Sequence, residues 1–308
     1  MIRKIHWIVI AWLTALPAAQ AMQTASYVAY YKGMFSLFRQ MEIADVQLTR
    51  NMEIGEDTER PVRKMSLAVS SANFPTVERL YPFRYLFDSY IDVESGATFA
   101  FEHLKKAGKQ KHYVGFMGIE PNKARVFSAK GLKPLLQPEA YRSLLAGSDT
   151  GQWVKENGLT VKSRPVTMPG RAYDRLTLLD SIPQQLKAGT SQQEYLVTDA
   201  KKLMSYRVSI LSHEALKVGG KTQKAVKVKI EGFDFTEPKV ITVSQENPFP
   251  GQPVTGQKPN YLHAPVYAWF SDDGHYWPLK FLNKHSVGEF VIEWKSNNNN
   301  KLQNIFND

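Results

Sequence analysis

Apolar and polar residues alternate one for one along much of this chain. Met204, Tyr206, Val208 and Ile210 alternate with Ser205, Arg207 and Ser209, and Val226, Val228 and Ile230 alternate with Lys227, Lys229 and Glu231. The same period holds for Phe290, Ile292 and Trp294 against Glu289, Glu293 and Lys295, and for Met65, Leu67 and Val69 against Lys64, Ser66 and Ala68. Successive side chains of a strand point to opposite faces, so a period of two marks a sheet with one buried and one wet face. Further strands are expected at 26–32, 41–52, 97–104, 111–118, 123–128, 239–244, 265–271 and 276–283.

The segments between strands suit antiparallel neighbours. Gly219-Gly220 and Asp272-Asp273-Gly274 are hairpin turns, because such residues enter the positive-φ region cheaply. Gly108 turns the pair around Phe101 and Tyr113. Helix signals are few. Pro138 to Ala146 reads as one short helix, Asp174 to Leu179 as a turn or two, and Ser181 as the cap of a second piece carrying Pro183 and stopped by Gly189. A parallel sheet would need a helix between most strands. The expected fold is therefore all-β: a curved antiparallel sheet or half-barrel with a small helical insert near 138–189.

The chain ends differ from this pattern. Arg3 and Lys4 precede an apolar run from Ile5 to Leu16, then Pro17 and the small-x-small sequence Ala19-Gln20-Ala21. This is the layout of a cleavable signal peptide, and the run is too short to span a bilayer comfortably. Residues 1–21 are expected to be removed, leaving one β-rich domain over 22–296, a polar tail over 297–308 and no transmembrane anchor. Residues 245–265 carry five prolines and two glycines, which excludes regular structure there.

The formal charge is +10, two of these charges coming from Arg3 and Lys4. The excess favours anionic envelope surfaces, lipid head groups or acidic glycans among them. Nucleic acid does not fit an exported chain whose positive charges are scattered. The absence of cysteine removes disulfides, thiol nucleophiles and thiolate metal sites.

Candidate chemistry is sparse. Ser271-Asp272-Asp273-Gly274-His275 holds the three residue types of a hydrolase triad, but such groups meet through the fold rather than along one hairpin. It reads as a turn, with Gly274 at positive φ. His103 and His112 could face each other across a hairpin, which is a weak metal site without a carboxylate in register. No catalytic residue, metal site or cofactor is expected. The aromatics remain. Most serve the core, and the alternative is that Phe249, Tyr261, Tyr267, Trp269 and Trp277 line a hollow between the curved sheet and the Pro-rich loop. That loop would be either a lid over the hollow or a dispensable insertion.

Several short motifs, in order, resemble an exported bacterial family known as domain of unknown function 3108. The segment Asp88 to Gly96, followed by Phe99-Ala100-Phe101-Glu102, is similar to that family's aspartate-bearing strand and turn. Tyr173 to Asp180 looks like its short helical stretch, and Tyr206 to Glu214 with Val218-Gly219-Gly220-Lys221 like the strand and turn that follow. Val266 to Asp273, Trp277-Pro278-Leu279 and Gly288-Glu289 resemble its C-terminal pattern. Pro183 and the 245–265 segment depart from it. The resemblance implies an exported β-rich fold and no catalytic residues. The curved sheet also invites comparison with periplasmic lipoprotein carriers, at the level of fold alone.

Two functions are consistent with these features: a non-enzymatic binding or carrier module for an apolar, amphipathic or envelope-derived ligand, or a pocketless scaffold docking anionic partners. An unrecognised hydrolase ranks last. Export is directly testable. The mature protein is expected to begin at Met22 and to fractionate with the periplasm; N-terminal sequencing that recovers Met1 from membranes would overturn this.

Overall fold

The computed structural model describes residues 23–53, 62–120, 122–137, 140, 143–144, 149–235 and 264–296. The expected signal peptide, the strand expected at 239–244, the 245–263 part of the Pro-rich loop and the expected polar tail lie outside them, as does most of the helix expected at 138–146.

Fifteen strands form one antiparallel sheet. In chain order they are β1 (Gln23–Gly33), β2 (Met41–Glu53), β3 (Val62–Ser70), β4 (Arg84–Asp92), β5 (Thr98–Ala107), β6 (Lys109–Glu120), β7 (Lys123–Ser128), β8 (Thr160–Val161), β9 (Val166–Thr167), β10 (Gln192–Thr198), β11 (Leu203–Val218), β12 (Lys221–Asp234), β13 (Val266–Ser271), β14 (Pro278–His285) and β15 (Gly288–Trp294). Three described helices interrupt them: α1 (Pro75–Leu80), α2 (Thr150–Glu156) and α3 (Arg175–Lys187). The spatial order runs β10 to β15, then β1 to β8, with β9 beside β7. Chain neighbours pair from β1 to β8 and from β10 to β15, and the N-terminal strand is zipped onto the C-terminal one, Tyr27 opposite Trp294 and Gly33 opposite Gly288. The expected all-β class and antiparallel sheet are what the chain adopts.

The sheet curls around α3. Leu178, Ile182 and Leu186 of the helix pack on Val208, Val226, Val228, Ala268 and Phe270 from β11, β12 and β13. Leu176 and Leu179 pack on Val46, Leu48 and Met65 from β2 and β3. Strands far apart in the sheet thus meet on one helix, and α3 fills the concave side.

The curl goes further than a half-barrel. On β10, Tyr195 and Val197 face the helix, while Leu196 between them joins the cluster of Phe101, Met117, Ala124 and Val126 on the inner face of β5, β6 and β7. The β10 edge is therefore tucked inside the β5–β7 end, and the sheet winds as an overlapping spiral. The segment before α3 bridges the overlap: Thr98 N donates to Ala172 O at 3.3 Å, and Tyr173 pairs with Val197. The outer face of β5–β7 carries a second core. There Val114, Phe116 and Phe127 are covered by Leu136, Leu144, Trp153 and Leu159. Glu102 fastens this cover, accepting from the backbone N–H groups of Leu135 at 2.7 Å and Leu136 at 3.1 Å, with His112 Nε2 at 2.6 Å.

The helical insert differs from its expected form. The two pieces split at Ser181 are one continuous helix with Pro183 inside it. Asp174, not Ser181, is the N-cap: its Oδ1 accepts from Leu176 N and Thr177 N, both at 2.7 Å. Ser181 Oγ instead donates back to Thr177 O at 3.0 Å. An internal proline removes one helix bond and costs about 3 kcal/mol in an isolated helix. Here Ile182, Pro183 and Leu186 are all buried, and that burial offsets the cost. The turns are as expected, with Gly108, Gly219, Gly220 and Gly274 at positive φ.

The overlap leaves little space. A Cβ built on Gly115 of β6 would fall inside the ring of Phe101 on β5, which is itself pressed from the other side by the tucked end. Gly115→Ala is expected to destabilise by about 1–3 kcal/mol, as overpacking does. Phe101→Leu in the same chain should recover part of the loss, and denaturant melts of the two single variants and the double variant check it.

Candidate ligand-binding site

Where α3 stops filling the concave side, a cavity of about 360 Å³ remains between the helix and β11–β14. Its wall is built by alternation. Tyr206 from β11, Ile230 and Gly232 from β12, Val266 from β13 and Phe281 from β14 are the inward members of their strands, facing Leu178, Leu179 and Ile182 of α3. Gly232 shapes the wall, since a Cβ there would sit 3.1 Å from the Tyr206 ring. Besides the Tyr206 hydroxyl, the polar side chains of the described lining are Arg175, Asn283 and His285, of which Arg175 and His285 are exposed. Arg175 is the first residue of α3, where a cation opposes the helix dipole, and no described residue forms an ion pair with it. Asn283 is partly engaged, its amide donating to Ala264 O at 3.1 Å. An apolar volume with a few polar groups at its mouth is the usual form of a small-molecule site, and its size is at the lower end of the usual range of roughly 300–1,000 Å³.

The residues expected to line a hollow are elsewhere. Phe249 and Tyr261 lie outside the described residues. Tyr267 and Trp269 alternate with Val266 and Ala268 and so occupy the opposite face of β13. There Trp269 Nε1 donates to Glu214 at 2.6 Å, and the ammonium of Lys227 sits 5.0 Å from its ring centroid. Trp277 is inside the sheet but away from the cavity, beneath the Arg50 guanidinium at 5.3 Å. The conspicuous aromatics drew attention from their aliphatic neighbours. The usable signal was the strand period itself, which puts Val266 and Ile230 on the face of Val226 and Val228.

The other candidates resolve as structure. Ser271 Oγ donates to Asp273 Oδ1 at 2.7 Å and accepts from Trp277 N at 2.8 Å, while the same Asp273 oxygen accepts from the backbone N–H of His275 and Tyr276. Asp272 turns to His213 at 3.0 Å. The cluster is a self-bonded turn in which the His275 ring makes no bond to Ser271. His103 and His112 do not face each other: His103 pairs with Tyr113 and Leu104 with His112, so the two imidazoles point to opposite faces. Among the described residues no three His, Asp or Glu side chains converge as a metal site.

No family model and no curated protein matches this chain. Among solved structures it is similar to a β-barrel-like protein of domain of unknown function 1849 from Brucella abortus, at 12% identity and a TM-score of 0.47, over 88% of this chain and 94% of that one.

His103 carries a pH dependence. Its ring is wedged between Phe87 and Phe101, with centroids at 4.8 and 4.7 Å. Burial pushes its pKa down to about 4; Asp199 opposes this, and Arg175 and Lys201 add to it. The unfolded chain then binds more protons than the folded one between about pH 6.5 and 4. The stability held above pH 6.5 is expected to fall by up to about 2–3 kcal/mol on acidification across that window. His103→Leu should lose that part of the pH dependence, which comparison of urea melts at pH 7 and pH 4 measures.

Proposed function

We propose that this protein is a non-enzymatic binding or carrier module whose cavity takes the apolar part of an amphipathic ligand. One observation carries this: among the described residues, the cavity between α3 and β11–β14 is lined mainly by apolar side chains, with the charged Arg175 and the His285 ring at exposed positions of its lining. An apolar tail would lie against Leu178, Ile182, Ile230 and Phe281, and an anionic or polar head would meet Arg175 and His285. Export to the periplasm fits the signal-peptide layout of residues 1–21, and the order of motifs that resembles domain of unknown function 3108 fits a protein of the bacterial envelope. Among the described residues no helix is long and apolar enough to cross a membrane.

The test is titration of the purified chain with a fluorescent fatty acid. Saturable binding is expected, and Ile230→Trp or Val266→Trp, which fill the cavity, should weaken it roughly tenfold or more while leaving the melting temperature near its original value. Arg175→Gln should weaken the acid but not an uncharged alcohol of the same chain length. No saturable binding, or binding untouched by both filling variants, would overturn the proposal and favour a scaffold that docks partners through its charged surface.

A further inference from the structure

The ends of an antiparallel sheet form two rims, and one of them has an unusual surface. Along the spatial order β14, β15, β1, β2, β3, β4, three consecutive connections emerge on the same rim: Ser286-Val287, the turn 34–40 and the loop 71–83. Six of the ten exposed large apolar residues among the described ones lie in these three connections: Met34, Leu37, Phe38, Leu80, Tyr81 and Val287. Leu37 is 83% exposed, Leu80 78%, Met34 71% and Phe38 68%. Exposed large apolar residues concentrated on one rim in this way mark an interaction surface.

The turn that carries half of these residues is held in shape. Leu37 and Phe38 both have left-handed backbones, with φ of 49° and 59°. Three backbone bonds fix them: Leu37 N to Met34 O at 3.1 Å, Phe38 N to Gly33 O at 2.8 Å and Arg39 N to Ser36 O at 3.0 Å. Two successive non-glycine residues in that region are disfavoured, and they persist only where the surroundings hold them. Here they hold two large apolar side chains out in water.

Cations frame the patch. Lys32 and Arg39 bracket the turn, and Arg79 precedes Leu80. The neighbouring β5–β6 turn opens on the same rim, and its 105–111 stretch has four lysines and no acid. Of the nearby carboxylates, Glu78 is paired with Arg84 at 2.9 Å and Glu289 lies 3.7 Å from Lys284, leaving Glu42 as the remaining acid near the β1–β2 turn. Apolar tips ringed by cations match a bilayer with anionic head groups: the tips enter the acyl boundary and the cations stay with the phosphates.

The cavity opens on this rim. His285 and Asn283 at its mouth are in β14, whose end leads into Ser286-Val287, Phe290 stands opposite Asn283, and the Phe290 ring packs on Tyr31 at 5.1 Å, in the strand that runs into the apolar turn.

We infer that this rim is a membrane-docking face for an anionic phospholipid bilayer. The inference goes beyond the cavity proposal: docking needs only the rim, and it would set the cavity mouth against the lipid surface.

The test is flotation of the purified chain with vesicles, every sample having the same N-terminus. Binding is expected to vesicles of phosphatidylethanolamine with phosphatidylglycerol, to be much weaker on pure phosphatidylcholine, and to fall with salt. Leu37→Asn with Phe38→Asn suits the left-handed backbone, so it should keep the fold and reduce flotation roughly tenfold. Lys32→Gln and Arg39→Gln should each cost about fivefold on anionic vesicles. Fatty-acid binding in vesicle-free solution is measured on the same variants. If flotation fails while that binding persists, docking is refuted and the cavity proposal stands; if flotation persists without it, the reverse holds. Equal flotation by the Leu37→Asn/Phe38→Asn variant, or a concentration-dependent dimer that this variant abolishes, would overturn the membrane assignment, the dimer giving the rim to a second copy of the chain.

Discussion

A sheet that curls onto itself encloses a volume, and that volume has to be filled if the inward side chains are to leave water. Helix α3 fills it, and the interior depends on how α3 is anchored. Its N-terminus is pinned by Asp174, buried, capping Leu176 N and Thr177 N and accepting from Ser89 of β4 at 2.6 Å. One and a half turns on, Asp180 lies between Arg50 of β2 at 2.8 Å and Arg63 of β3. A buried carboxylate is tolerated only when its lone pairs are met, and burial alone pushes Asp174 above the usual carboxylate range against these bonds. The two aspartates therefore fix both the depth and the rotation of the helix. They turn Leu178, Ile182 and Leu186 to β11–β13, and Leu176 to β2 and β3.

Overlap is the second consequence of the curl. With β10 tucked inside β5–β7, those strands bury both faces, one against the sheet's own end and one beneath residues 135–159. Two buried faces demand that inward polar groups be satisfied. Glu102 and His112 do so on the outer side, where the carboxylate collects two backbone N–H groups that a purely apolar core would leave unpaired. The spiral also avoids one hazard of an open sheet. The β10 edge, whose backbone groups would otherwise face solvent, pairs with the Tyr173 segment and lies against neighbouring strands.

The cavity and the apolar rim follow from where the filling ends. Helix α3 is 13 residues long and cannot line the whole inner face of the sheet. At the β11–β14 side it leaves Ile230, Val266 and Phe281 lining the cavity. An unfilled apolar hollow forfeits dispersion contacts, so retaining one is a cost that ligand binding would offset. The rim beside it bears exposed Leu and Phe held in left-handed backbone, a second local cost in the same region.

The sequence by itself determined the class of fold, because a period of two survives wherever one strand face is wet. Residues 203–211, 224–231 and 64–70 were legible for that reason, and the Gly219-Gly220 and Asp272-Asp273-Gly274 turns declared their backbone through residue type. Strands β4 and β10 were not legible from alternation. Asp88, Ser89, Tyr90 and Ile91 are consecutive and all buried, and Leu196 and Val197 face two different cores, so neither strand alternates apolar with polar residues. Pro183 suggested a break that burial of the surrounding helix overrode. The binding site was the least legible feature. Tyr267 and Trp269 differ from Val266 only by one position, and which of the two faces of β13 is concave depends on where α3 packs. Local pattern fixes alternation but not its sign. That sign was decided by long-range contacts, from Asp174 and Asp180 to residues 85 to 130 positions away in the chain.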